Sequence, residues 1–152
     1  MTVYSDPLPD RTDGAIHDLI EVCEDGARGF AAAAELLDGE LKSTFEQLGA
    51  ERQRLAAELH ELATRLGVSR PESGSVKAAA HRAWMRLKDM APGDNTHAVI
   101  SAAEEGEDYA LEQYDEALDA GLVEEARNVV ARQRTEVKAS HDRVRSLQAA
   151  TA

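Results

Sequence analysis

The most constraining feature of this sequence is an apolar stripe in its second half, where side chains recur at alternating steps of three and four residues. That spacing puts them on one face of an α-helix that packs inside a bundle. A single carboxylate falls in the stripe, which consists of Ile100, Ala103, Glu107, Ala110, Tyr114 and Ala117. Because burying an unpaired charge is costly, we expect other helices to supply a partner for Glu107.

Three further segments show the same spacing, so the sequence predicts an all-α protein with four long helices. The expected helices span about 15–37, 40–66, 95–120 and 122–147. Glycine stands at the breaks: Gly39 between the first two helices, Gly67 after the second and Gly121 between the last two. Breaks this short fold consecutive helices into antiparallel hairpins.

The segment 67–94 separates the two predicted hairpins. It contains Pro71 and Pro92, which are typical of loops, on either side of a helical pattern over about 75–90. We therefore expect a long crossover that contains its own short helix. Asp94 is expected to cap the third long helix.

The N-terminal residues 1–12 lack an apolar period and contain two prolines, so they are predicted to form a flexible tail. Thr12 and Asp13 are expected to cap the first helix. We expect residues 13–148 to form one four-helix-bundle domain, which is long enough to enclose a continuous core.

Composition and charge limit the partners of this chain. It has 152 residues, a formal net charge of −12 and only 4% aromatic residues. Nucleic acids and anionic membranes are bound by clustered Lys and Arg, so we expect neither as a partner. Cys23 is the only cysteine and lies in an apolar stripe, where it is expected to be a small core residue. The N-terminus does not read as a secretion signal, and we expect a cytoplasmic protein.

The two halves of the chain resemble each other. Glu24-Asp25-Gly26 in the first helix matches Glu104-Glu105-Gly106 in the third. Apolar residues of the second helix match those of the fourth at the same seven-residue spacing, Leu41, Leu48, Leu55 and Leu62 against Val123, Val130, Val137 and Val144. Two related antiparallel hairpins joined by one long crossover form the ferritin-like four-helix topology.

The repeat also predicts a polar layer across the middle of the bundle. Its expected positions are Ala27, Glu51, Arg54, Glu107, Gln133 and Glu136, with Tyr114 within reach. Arg54 lies one turn beyond Glu51 on nearly the same face of the second helix. We therefore expect Arg54 to contact Glu51 or Glu107 inside the bundle.

The motif Ala103-x-x-Gly106-Glu107-x-x-Ala110-x-x-x-Tyr114 resembles the third helix of ferritin-like proteins of the rubrerythrin kind. From about residue 14 to residue 148, the chain resembles an uncharacterised bacterial family of ferritin-like four-helix-bundle proteins whose domain has no assigned function. The resemblance implies a site for two metal ions in the metal-binding relatives. There, two helices each supply one Glu and the other two each supply Glu-x-x-His.

This sequence departs from the implied ligand set at most positions. Glu51 and Glu107 remain, whereas Ala27, Arg54, Gln133 and Glu136 replace a Glu, a His, a Glu and a His. One interpretation is a vestigial site in which Arg54 neutralises the two glutamates and Gln133 satisfies the remaining polar groups. The alternative is a cation held by Glu51, Glu107 and Glu136. Charge balance favours the vestigial site, because an arginine repels a nearby dication.

These interpretations imply two functions. The favoured one is a non-catalytic bundle, expected to be a homodimer without a cofactor, that serves as a structural or stress-related interaction protein. The alternative is a metal-binding protein or oxidoreductase that uses iron or manganese. The incomplete ligand set disfavours an enzyme.

Overall fold

A computed structural model of the protein describes residues 10–68, 84–91 and 95–152. Its four long helices are α1 (Asp10–Glu35), α2 (Gly39–Leu66), α3 (Thr96–Asp119) and α4 (Glu124–Ala150). A short 3-10 helix, Arg86–Asp89, precedes α3, and the part of the chain that the structure describes contains no strand. The predicted all-α class and the four long helices are confirmed.

Glycines form the breaks between the helices, as their backbone angles show. Gly39, Gly67 and Gly121 have φ angles of 59°, 65° and 77°, in the left-handed region that L side chains rarely adopt. At the end of α2, the Gly67 backbone N–H donates to the carbonyls of Ala63 and Thr64. This closes the last turn of α2 and stops the helix from continuing.

Two predicted caps are wrong. The helix α1 already begins at Asp10, so Thr12 and Asp13 lie within it rather than before it. Thr12 is buried, and its side-chain oxygen accepts a hydrogen bond of 3.3 Å from the backbone N–H of Val123. At the start of α3 the cap is Asn95, whose side chain accepts from the His97 backbone N–H at 2.8 Å. Asp94, the predicted cap, lies outside the described residues, as do residues 1–9 of the predicted tail.

The short helix predicted within the crossover lies largely outside the described residues, since residues 69–83 are not among them. At its C-terminal end, the structure has Trp84 buried and the 3-10 helix packed against α1 and α3. This end of the crossover is therefore held on the bundle by a large aromatic side chain.

The helices pack chiefly as α1 against α2, α3 against α4 and α1 against α3. The stripe predicted for α3 is buried throughout. The stripe predicted for the first helix is buried as well, including Leu37, which follows the end of α1: Ile16, Ile20, Cys23, Ala27, Phe30, Ala34 and Leu37. The apolar core consists of two clusters, one at each end of the bundle. One contains Leu19, Leu59 and Tyr114 with their neighbours, and the other contains Phe30, Phe45 and Trp84. No helix among the described residues is long and apolar enough to cross a membrane.

Candidate functional site

The centre of the bundle, between the two apolar clusters, holds a buried ion pair. An Nη2 atom of Arg52 on α2 donates to Oε1 of Glu107 on α3 at 2.6 Å. The Arg52 side chain is 3% exposed and that of Glu107 is 0% exposed. The expectation that Glu107 has a buried partner from another helix is met, and that partner is Arg52.

Ser140 of α4 completes this group. Its hydroxyl accepts from Arg52 Nη2 at 3.0 Å and donates to Oε2 of Glu107. Three helices therefore contribute one polar side chain each, and both oxygens of the Glu107 carboxylate are bonded. A charged pair with this many hydrogen bonds avoids much of the cost of burial.

The prediction that Arg54 contacts Glu51 or Glu107 inside the bundle is wrong. Arg54 is 56% exposed and binds Glu136 at 2.7 Å on the outside of the bundle, and Glu51 is exposed as well. The error is one of register in α2. The buried apolar residues of α2 are Phe45, Leu48, Leu55, Leu59 and Leu62. They follow alternating steps of three and four residues, and the step of three from Phe45 to Leu48 is followed by a step of four, which leads to position 52.

The same spacing rule could have identified the other missed residue. On α4, Val137 and Val144 are both buried, and position 140 lies three residues after the first and four before the second. The spacing of the apolar residues in α2 and α4 therefore already indicated that positions 52 and 140 face the core. The prediction missed these two residues because the internal repeat placed the polar layer at positions 51, 54, 133 and 136.

The surroundings of Arg52 are shaped to accept a guanidinium. Burial alone would lower the pKa of Arg52, but the adjacent Glu107 carboxylate outweighs it, and the pKa is raised above its ordinary value. The guanidinium carbon lies 5.5 Å from the centre of the Phe30 ring. Gly26 makes room for the side chain, because a Cβ atom there would lie 2.9 Å from Arg52 Nη1. That Nη1 atom is buried and has no hydrogen-bond partner in the structure.

A chain of hydrogen bonds lies beside the ion pair. The buried Tyr114 hydroxyl donates to Oε1 of Gln133 at 2.7 Å and lies 3.1 Å from the Cys23 sulfur. Gln133 in turn donates to the Leu55 carbonyl at 3.2 Å and to Glu58 Oε1 at 2.7 Å. Tyr114 and Gln133 thus occupy the buried polar layer, as predicted.

Cys23 is buried, as predicted for a small core residue. Burial raises the pKa of its thiol to about 11, and burial together with the neighbouring Cys23 raises the pKa of Tyr114 well above its ordinary value. Both groups are therefore neutral at physiological pH and act as hydrogen-bonding core residues.

The three carboxylates proposed as metal ligands, Glu51, Glu107 and Glu136, are not brought together. Glu107 is bonded to Arg52 in the core, Glu136 binds Arg54 and Arg132 outside, and Glu51 is exposed. Among the described residues, the structure instead gathers Glu104, Asp108 and His141, whose ligand atoms all lie within 4.8 Å of one another. The sequence pattern did not indicate this cluster, because Asp108 and His141 are 33 residues apart and meet only through the packing of α3 against α4.

The fold and its centre define a class of protein: an all-α protein with four long helices and an arginine–glutamate pair in its core. Residues 12–120, which run from the start of α1 to the end of α3, match the family described as a domain of unknown function, DUF2383. The match covers most of the chain, and the chain belongs to this family. A comparison with curated proteins finds no match.

Proposed function

We propose that this protein is a non-catalytic helical bundle of the ferritin-like kind, whose site for two metal ions has degenerated into an internal ion pair. It serves as a structural or stress-related interaction protein. The observation that carries the proposal is the contact between the Arg52 guanidinium and Glu107 at the centre of the bundle.

A metal centre at this point would not fit the residues present. An arginine guanidinium stays protonated in proteins, so a dication bound to Glu107 would have to displace a permanent positive charge that is buried beside it. Of the Glu and His ligands that the resemblance implies, Glu107 alone is a buried carboxylate at the layer, and both of its oxygens are bonded. The Arg52 guanidinium neutralises the Glu107 carboxylate, a role that metal ions would otherwise have.

The arrangement of α2 and α4 supports the ferritin-like part of the proposal. Three arginine–carboxylate pairs join these helices, Arg65–Glu125, Arg132–Glu58 and Arg54–Glu136. The residue numbers rise along one helix as they fall along the other, which is the antiparallel order expected when a long crossover joins two hairpins.

The alternative function is a metal-binding protein or oxidoreductase that holds iron or manganese through Glu51, Glu107 and Glu136. It would require α2 to rotate so that Glu51 replaced Arg52 in the core. That rotation would expose part of the buried stripe of α2, so we favour the metal-free centre.

Metal analysis of the full chain, purified without chelator from cells grown with added iron and manganese, separates the two functions. We expect no bound iron or manganese that depends on Glu51 or Glu136. Stoichiometric iron or manganese that is lost in Glu51→Gln or Glu136→Gln would overturn the proposal. Both residues lie outside the core, so these variants remain folded.

The expected homodimer also belongs to this proposal. Among the described residues, the only large hydrophobic side chain that is exposed is Met85, at 37%. A dimer formed through the described surface would therefore bury an interface about as apolar as the rest of that surface, as non-obligate interfaces are. Light scattering of the full chain over a range of concentrations measures this state, and a monomer at all concentrations would contradict the homodimer.

A further inference from the structure

A second cluster of metal-ligating groups lies away from the central ion pair, on the outer side of the α3–α4 hairpin. Glu104 and Asp108 are four residues apart on α3, so their side chains share one face. His141 of α4 meets them, with its Nε2 atom 2.5 Å from Asp108 Oδ1 and 3.9 Å from Glu104 Oε1. Two helices thus direct one nitrogen and two oxygen ligands to one point.

The histidine of this cluster is already positioned. Its side chain is only 7% exposed, and its Nδ1 atom lies 3.1 Å from Asp142 Oδ1. The other oxygen of Asp142 binds Lys138 at 2.8 Å. A carboxylate on the far nitrogen of a ligating histidine is the usual outer-shell partner in metal sites, where it fixes the orientation of the ring.

We propose that Glu104, Asp108 and His141 bind a divalent first-row transition-metal ion, of which Zn²⁺ is the representative. One imidazole and two carboxylates suit such an ion better than Ca²⁺ or Mg²⁺, which prefer oxygen ligands alone. Three protein ligands leave a coordination position open to water. The proposal is independent of the function proposed for the bundle centre.

The distances require only small side-chain movements. Bonds of 2.0–2.2 Å in a tetrahedral site separate ligand atoms by about 3.4 Å. Asp108 would move slightly away from His141 and Glu104 slightly towards it. Asp108 is 55% exposed and Glu104 lies at the edge of the core, so both carboxylates can adjust without moving the helices.

The first half of the chain provides an internal comparison. There Glu24 of α1, which the repeat relates to Glu104, lies 3.5 Å from His60 of α2, which corresponds to the position directly after His141. Arg28 stands where the second half has Asp108, and it pairs with Asp25. His60 is 52% exposed. This half has one carboxylate and an exposed histidine, with a cation in place of the third ligand, and it is not expected to bind metal.

Zn²⁺ titration of the full chain by calorimetry tests the proposal. We expect one ion per chain. The affinity for Zn²⁺ should fall at least about tenfold in Asp108→Asn and in His141→Ala, because each variant removes one ligand of the ion. The control is His60→Ala, which removes the histidine that meets Glu24 in the first half and should leave the affinity unchanged. Asp108→Asn changes an exposed side chain to an isosteric one, so it tests the site even if His141→Ala fails to fold.

Three results would overturn the proposal. They are the absence of Zn²⁺ binding in the wild type, binding that Asp108→Asn leaves unchanged, and a loss in His60→Ala as large as that in Asp108→Asn. Because Glu51 and Glu136 are not part of this site, a metal content that depends on them would instead bear on the bundle centre.

Discussion

Two arginines only two positions apart on α2 have opposite roles. Arg52 is buried against Glu107 and Ser140, whereas Arg54 is more than half exposed and meets Glu136 at the surface. A buried charge that loses its partner keeps its desolvation cost, while an exposed ion pair is screened by water and salt. The two side chains should therefore differ strongly in their contribution to the free energy of unfolding.

Replacing Arg52 by Met should lower the free energy of unfolding by about 3–5 kcal/mol, because Glu107 would be left charged and unpaired in the core. The matched variant Arg54→Met should lower the free energy of unfolding by less than about 1 kcal/mol. Urea unfolding followed by circular dichroism measures both. Equal losses in the two variants would mean that Arg52 is not the buried partner of Glu107.

The double variant Arg52→Met, Glu107→Gln distinguishes the effect of losing the ion pair from the effect of leaving an unpaired charge in the core. Since it leaves no charge in the core, it should be less destabilised than Arg52→Met alone. A double variant at least as unstable as the single one would show that the lost packing of Arg52 against Phe30 matters more than its charge.

At the scale of elements, three helical glycines make room for large side chains from elsewhere. Gly26 faces Arg52, while Gly29 of α1 and Gly106 of α3 both face Trp84. The Trp84 ring also packs edge-on against Phe30, with ring centres 5.2 Å apart. The notch between α1 and α3 therefore holds the end of the crossover, and Gly29 and Gly106 leave the space that the Trp84 ring occupies.

Gly106→Ala should destabilise the protein even though alanine is the better helix former. The new Cβ would lie 2.5 Å from the Trp84 ring, and overpacking of this kind costs about 1–3 kcal/mol. Gly14→Ala is the matched control, because nothing lies within 4 Å of a Cβ there, and it should stabilise by about 0.5–1 kcal/mol. Thermal unfolding of both variants checks the opposite signs, and a stabilising Gly106→Ala would mean that Trp84 does not occupy the notch.

At the scale of the whole molecule, the polar layer divides the core into two apolar clusters. All four long helices nevertheless contribute to both clusters, so neither end can open without releasing the helices of the other. The ion pairs between α2 and α4 add surface contacts along the same helices. This continuity favours a single cooperative unfolding transition.

Trp84 provides a direct measurement of that cooperativity. It is the only tryptophan and belongs to one cluster alone, whereas circular dichroism reports all the helices. We expect the fluorescence and circular dichroism transitions in urea to have the same midpoint. Fluorescence that changes at a lower urea concentration would show that the cluster around Trp84 unfolds independently of the other.

The sequence by itself determined the class and the elements, because apolar spacing and glycine breaks are local properties of the chain. They predicted four long helices, the buried stripes of α1 and α3, a buried Cys23 and a charged partner for Glu107. Helix ends were less well predicted, since a cap depends on which nearby side chain reaches the free backbone groups. Asn95 does so at the start of α3.

The apolar stripes place Arg52 and Ser140 on inward faces, but only the tertiary structure decided that both side chains meet Glu107 at the centre. A shift of one residue rotates a helix position by about 100°, which exchanges a core position for a surface one. For this reason Arg52 lies inside while Glu51 and Arg54 lie outside. The cluster of Glu104, Asp108 and His141 likewise depends on how α4 is placed against α3, and that placement is set by packing between segments more than thirty residues apart.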